Sequence, residues 1–282
     1  MPRSISALAL VPLALVPLAT ARAASHDSAG TIMLRYRFVP GQTLAYRFVA
    51  SGRATTTGDL SIQDGFTTPY RSMGSATVRE RVLSVDARGR ATVAVSVSIL
   101  HATETRGRTT TTSPTTTTVT VWIAPDGSAS GTMSGAVNDA FFLPLGTLPP
   151  APLAPGARWT TPSRLLRVIT PVLPGVLPRS LAANTLLSAG PARGTRGTIQ
   201  AIIASAARPT YAMTVPFSGH ETLRLQGTGQ ATGRTVFDVA SGQLLSSTAS
   251  YTIELDQQLR DRHGGARTAR TRIVWDMSSQ HI

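Results

Sequence analysis

The chain has 282 residues, and its 27 cationic side chains, all arginine, face 14 carboxylates for a net charge of +13. Cysteine is absent, apolar residues make up 41% and charged residues 15%. These values exclude a wholly disordered chain, disulfides, thiolate metal sites, cysteine nucleophiles and lysine Schiff bases. They leave a globular protein of one or two domains.

The first element is a leader. Arg3 is followed by an apolar run over 5–18 and by Ala21-Arg22-Ala23, small residues at the −3 and −1 positions of a cleavage site. This order predicts a signal peptide over 1–23, export to the periplasm or the extracellular space, and a mature chain of 282 − 23 = 259 residues. Pro12 and Pro17 interrupt the run, and about 14 apolar residues are too few to cross a bilayer. No later stretch is long enough to span, so no transmembrane segment is expected after cleavage. No cysteine follows the leader, which excludes a lipid-modified N-terminus.

The mature chain reads as strand and turn. Two β-rich runs, 33–39 and 44–50, flank Pro40-Gly41, which suits the central positions of a type II turn. A hairpin is predicted from 76–85, the turn at 86–89 and 90–100. In its second arm Val93, Val95, Val97 and Ile99 alternate with Ala94, Ser96 and Ser98. The Thr-rich tract 109–118, broken at Ser113-Pro114, reads as a solvated hairpin tip or a disordered stalk. Val119, Val121 and Ile123 then run into the turn Pro125-Asp126-Gly127. A short helix is predicted over 134–142, with Ser134 as N-cap. The Pro-rich stretch 143–181 forms an apolar crossover, and 181–187 suits a helix or a strand. A hairpin follows from 198–203 through a turn near Ala207-Arg208-Pro209 to 211–215. Another runs from 235–239 through Ala240-Ser241-Gly242 to 243–255, and a last strand covers 270–277. The expected fold class is all-β: one domain over 24–282, a single curved antiparallel sheet forming a half-barrel or open barrel, with a short helix and the apolar crossover near 143–181. The two halves are weakly alike in pattern.

Certain motifs recur in order: the strand pair about Pro40-Gly41, the turn Pro125-Asp126-Gly127, Leu143-Pro144, Leu148-Pro149, and Leu153-Ala154-Pro155-Gly156-Ala157-Arg158-Trp159. Gly227-Thr228-Gly229 and Phe237-Asp238-Val239-Ala240-Ser241-Gly242 come late. In these the chain resembles a family of secreted bacterial β-rich proteins of unknown function. That family shares an L-P…P-x-x-x-G-x-x-W segment and a late G-x-G…F-D…G hairpin. The resemblance implies an export-dependent antiparallel fold broadly like the half-barrels of periplasmic lipoprotein carriers, and it transfers no catalytic residue. Many relatives carry a lipobox cysteine that this chain lacks.

Signals for chemistry are sparse. His26 and His281 lie near the ends. His101 and Glu104 have no third ligand, His220 and Glu221 face opposite sides of a strand, and His263 sits in a Gly turn. No metal site or cofactor is expected. No G-x-S-x-G elbow occurs, and Gly227-Thr228-Gly229 lacks the spacing of a phosphate loop. Asp126 and Asp238 read as turn residues. Trp122, Trp159 and Trp275 read as core anchors. The arginines are scattered, with the tightest group at Arg260, Arg262, Arg267, Arg270 and Arg272, and aromatics make up only 5%. No nucleic-acid partner is expected.

The leading expectation is therefore a non-enzymatic exported protein that binds a lipid or other amphipathic ligand, or an envelope protein. One alternative is an envelope interaction module with a self-filled core. Another is a hydrolase whose carboxylates meet only in space. The candidate ligand-binding residues are Ile169, Val172, Leu173, Val176 and Leu177, an apolar gate over a concave sheet face. Arg164, Arg167 and Arg179 stand at its rim. The same apolar residues would also serve as a permanent plug.

Overall fold

The computed structural model describes residues 30–60, 70–106, 108–112, 114–130, 147–162, 181–192, 198–216, 221–261 and 263–282. Thirteen strands are found there: β1 Thr43–Gly58, β2 Tyr70–Val85, β3 Ala91–Arg106, β4 Arg108–Thr112, β5 Thr115–Ile123, β6 Ala129–Ser130, β7 Arg158–Pro162, β8 Leu181–Pro191, β9 Ile199–Ala207, β10 Thr210–Pro216, β11 Thr222–Asp238, β12 Gln243–Arg260 and β13 Ala266–His281. Among the described residues there is no helix. The expected short helix is thus not borne out; its segment, 134–142, lies outside the described residues. The stretch 181–187 is strand, within β8.

All the strands belong to one antiparallel sheet in the order β6-β5-β3-β2-β1-β13-β12-β11-β9-β8-β7. The sheet is open, with β6 and β7 at its two ends. The first and last strands meet at its centre, where Tyr46 lies opposite His281 and Gly58 opposite Ala269. Period-two alternation explains the burial. Along β1 Leu44, Tyr46, Phe48 and Ala50 are buried, while Arg47, Val49 and Ser51 are exposed.

Turns form where glycine allows a left-handed backbone. Gly41 (φ 81°) follows Pro40, and the Gln42 amide donates to the Val39 carbonyl at 3.1 Å, as a type II turn requires. Four further turns are held by an aspartate that accepts from backbone amides two to four residues on. Asp86 accepts from Arg88 and Arg90, Asp126 from Ser128, Asp238 from Ala240, and Asp261 from His263 and Gly265.

Three expectations are corrected. Residues 33–39 are not a ladder strand. They run as a strap that begins at an isolated bridge of Ile32 to Leu153, with no ladder pairing among the described residues. The segment around Arg208-Pro209 is no hairpin. β9 and β10 both lie along the same edge of β11, β9 against 231–238 and β10 against 222–228. They form one edge bent at Pro209, which has no N–H to offer a ladder. The bend fits because Gly229 leaves room for the proline ring and donates its own amide to the Pro209 carbonyl at 2.9 Å. The Thr-rich tract is not a solvated tip either: its described part is strand, Arg108–Thr112 and Thr115–Ile123, with Ser113 outside the described residues. The chain reverses between Arg106 and Arg108, and β4 and β5 return together along β3. Hydroxyl ladders Ser96–Thr118 and Ser98–Thr116, both 2.9 Å, line the outward face there.

The strap closes one end of the curved sheet. Ile32 and Leu153 exchange two backbone hydrogen bonds of 2.8 Å, the Tyr36 amide donates to the Pro125 carbonyl at 2.8 Å, and the Leu148 amide donates to the Asp126 carbonyl at 2.7 Å. The turn after β5 is thereby tied to the segment that enters β7. Beneath the strap Leu34, Tyr36, Leu148, Leu186, Ile203 and Phe237 form a core, with Tyr36 meeting Phe237 edge-on at 5.3 Å. A larger core lies along the inner face of β1, β2, β3, β5, β12 and β13. A third, with Leu60, Leu223, Leu225 and Leu259, sits at the far end.

Candidate functional site

The sequence-derived ligand residues, Ile169, Val172, Leu173, Val176, Leu177, Arg164, Arg167 and Arg179, lie outside the described residues. The described part of the concavity is the inner face of the sheet, built by the inward positions of each strand.

At the strapped end this face is buried and polar. Glu80, inward on β2 between Val78 and Val82, is fully buried. Its diagonal neighbour across the β1–β2 pair is Tyr46, since Leu44 lies opposite Glu80 and Tyr46 opposite Val78. Burial, then the Glu80 charge, then Tyr36 push the Tyr46 phenol far above its usual range. Burial followed by Glu80 does the same to Tyr36. The imidazole of His281 sits 5.4 Å from the Tyr46 ring, and burial lowers its pKa from the usual histidine value. His281 is therefore half-buried at the end of a paired strand, not at a frayed terminus.

Towards the far end the wall becomes aromatic and only half-buried. Trp275 on β13 lies against Gly52 on β1, its direct cross-strand partner, and a Cβ at Gly52 would overlap the indole. The glycine is the seat of the tryptophan, an arrangement in which an aromatic ring covers a bare strand backbone. Ala54, Thr56 and Ile273 continue this half-buried surface, and buried Tyr251 flanks Trp275 on β12. Desolvation raises the pKa of Tyr251 and of Tyr211, so both phenols stay neutral. The hydroxyls of Tyr36, Tyr46, Tyr211 and Tyr251 are buried and meet no hydrogen-bond partner among the described residues, and the same holds for the indole nitrogen of Trp275. Across β7, β8 and β9 a buried amide is satisfied on both sides: Asn184 donates to Thr161 at 3.1 Å and accepts from Ser205 at 2.6 Å.

Trp122, read as a core anchor, is instead 39% exposed on the outward face of β5. Among the described residues, no three His, Cys, Asp or Glu side chains converge as a metal site would require. Reading alternation along β2 would have found Glu80, because Val78, Glu80 and Val82 share one face. No local signal marks Tyr36, Tyr211 or His281, whose surroundings come from distant strands.

No protein family, curated protein or solved structure matches this chain.

Proposed function

We propose that the protein is an exported, non-enzymatic binding protein that holds an apolar or amphipathic molecule against the inner face of its curved sheet, entering from the end away from the strap. The observation that carries this reading is the half-buried stretch of Trp275, Ile273, Ala54 and Thr56, which continues into a wall of neutral tyrosines. Neutral phenols and an indole offer apolar area together with hydrogen-bond donors, the chemistry that accommodates an acyl chain and its polar neck. A non-enzymatic role is supported by four carboxylates that are each engaged in a turn, Asp86, Asp126, Asp238 and Asp261, and by the full burial of Glu80. The periplasm or extracellular space is proposed as the location, on the strength of the leader-like order of 1–23.

The test is titration with a fluorescent fatty-acid probe and a lysophospholipid, followed by tryptophan emission, with native mass spectrometry of protein from its own cells as a search for retained lipid. Saturable binding is expected, and Trp275→Ala should weaken it at least about tenfold, as truncation of a buried aromatic anchor does. Trp122→Ala, on the opposite face, should leave it unchanged. Equal effects of the two substitutions would overturn the assignment of the site. The full burial of the strapped end favours a second reading, an interaction module with a self-filled core, and absence of saturable binding would select it.

A further inference from the structure

We infer that the outward face of β1 and β2 docks on an anionic lipid surface. Arg47, Arg53, Arg71, Arg79 and Arg81 all stand on this face and all are exposed. Arg53 lies directly opposite Arg71, and Arg79 is diagonal to Arg47, whose partner is Thr77. Arg79 and Arg81 are successive outward residues of one strand. Like charges directly opposite each other repel, at Cβ separations of about 5 Å. None of the five makes an ion pair among the described residues. Among the described side chains no carboxylate lies on the outward face of β1, β2, β3 or β5, and Glu80 points inward. The contrast with β13 is direct: Arg270 is held by Glu254 at 2.8 Å and Arg267 by Glu221 at 3.4 Å. On the adjoining β13, Asp276 stands outward opposite Ser51 and diagonal to Arg53, so the β1–β2 face keeps an excess of positive charge, five arginines beside one neighbouring carboxylate.

Apolar side chains interleave with these cations. Val49 is 40% exposed, Met73 53%, and Leu100, the unpaired residue of a bulge between β2 and β3, 51%. Val49 sits two residues from Arg47, and Met73 two residues from Arg71. Guanidinium groups pair with phosphates bidentately, and methyl groups between them suit the boundary between headgroups and acyl chains. A single-stranded nucleic acid would need stacking partners, and the described outward side chains of β1, β2 and β3 include no Trp, Tyr or Phe, the exposed Trp122 lying beyond them on β5. The inference uses the face opposite the proposed ligand surface and stands apart from that reading.

The test is flotation of the protein, as recovered from expressing cells, with phosphatidylcholine vesicles alone and with about 30% phosphatidylglycerol. Binding is expected only to the anionic vesicles and should fall as salt rises from about 0.05 to 0.5 M. The double substitution Arg53→Gln/Arg71→Gln should cut partitioning at least about tenfold. Its melting temperature should hold or rise, because a repulsive pair is removed. If that variant does not fold, Arg79→Gln/Arg81→Gln makes the same comparison. Met73→Ser/Leu100→Ser should also weaken binding, while Arg234→Gln/Arg260→Gln on β11 and β12 should not. Equal binding to neutral vesicles, or unchanged binding by the folded β1–β2 variants, would overturn the inference. So would duplex DNA that binds as tightly as the anionic vesicles and is indifferent to Met73→Ser/Leu100→Ser.

Discussion

Tyrosine chemistry shows how strongly burial acts on single residues in this protein. Tyr36, Tyr46, Tyr211 and Tyr251 all have phenols pushed up from the usual value of 10.0, with desolvation the largest cause in each. The charged form of a phenol is the deprotonated one, so the folded state resists losing these protons more than the unfolded state does. The resulting stability is fully present below pH 10 and is lost as pH rises above it. We expect tyrosinate absorbance at about pH 11 to be small while the fold persists, and the four phenols to ionise together in the step that unfolds the sheet by circular dichroism. Ionisation of all tyrosines near pH 10 with the β spectrum intact would contradict this placement. Arginine shows the same dependence on position. The tightest cluster in the sequence is partly neutralised by acids, whereas Arg47, Arg53, Arg71, Arg79 and Arg81, scattered along the chain, share one face because strand residues two apart point the same way.

Strands here are longer than their apolar patterns announce. β11 spans 222–238, yet only its final residues read as strand, because the inward positions Gly227, Gly229 and Gly233 carry no side chain. Glycine in a strand interior reads as a turn, and here it marks close approach: Gly229 to Pro209, and on β1 Gly52 to Trp275. A cross-strand pair of this kind makes a clean prediction. Gly52→Ala should cost about 1–3 kcal/mol in urea unfolding, the usual range for overpacking. The same change in a Trp275→Ala background should cost well under about 1 kcal/mol, because the overlapping ring is gone and the two substitutions couple. Additive costs would mean that the glycine serves the backbone and not the indole. The turns, by contrast, were legible from short motifs. Pro40-Gly41, 86–89, 125–127 and 240–242 all form where Asp and Gly placed them, since their geometry depends on residues within the turn itself.

At the scale of the molecule the strap holds the two outer regions of an open sheet together at one end. Tyr36 is 2% exposed, packs on Phe237 of β11 and donates its own amide to the Pro125 carbonyl. We expect Tyr36→Ala to destabilise by about 3–5 kcal/mol, the range for deleting a buried aromatic. In hydrogen exchange, amides of β5 and β8, whose outer partners β6 and β7 are only two and five residues long, should lose protection before those of β1, β12 and β13, which lie between long strands. Uniform loss across the sheet would show that the strap is not what joins its flanks.

Read alone, the sequence determined the class of the fold. Alternating apolar positions, β-branched runs and Asp-Gly turns are local signals, and they dictate antiparallel strands wherever they occur. It also determined the chemistry that is absent, because thiols and lysines are simply missing. Only the tertiary structure decided which strands are neighbours. The pairing of β1 with β13, the single edge made by β9 and β10, and the strap across 125 and 153 join residues far apart in the chain. Such contacts leave no trace in any local window. The candidate site follows the same division. The buried Glu80 was readable from alternation along one strand, but its company of Tyr36, Tyr46 and His281 exists because the sheet pairs its first strand with its last. The physical reason is that period-two alternation sets the face a side chain occupies, while burial, charge balance and partnership depend on what the rest of the chain lays against that face.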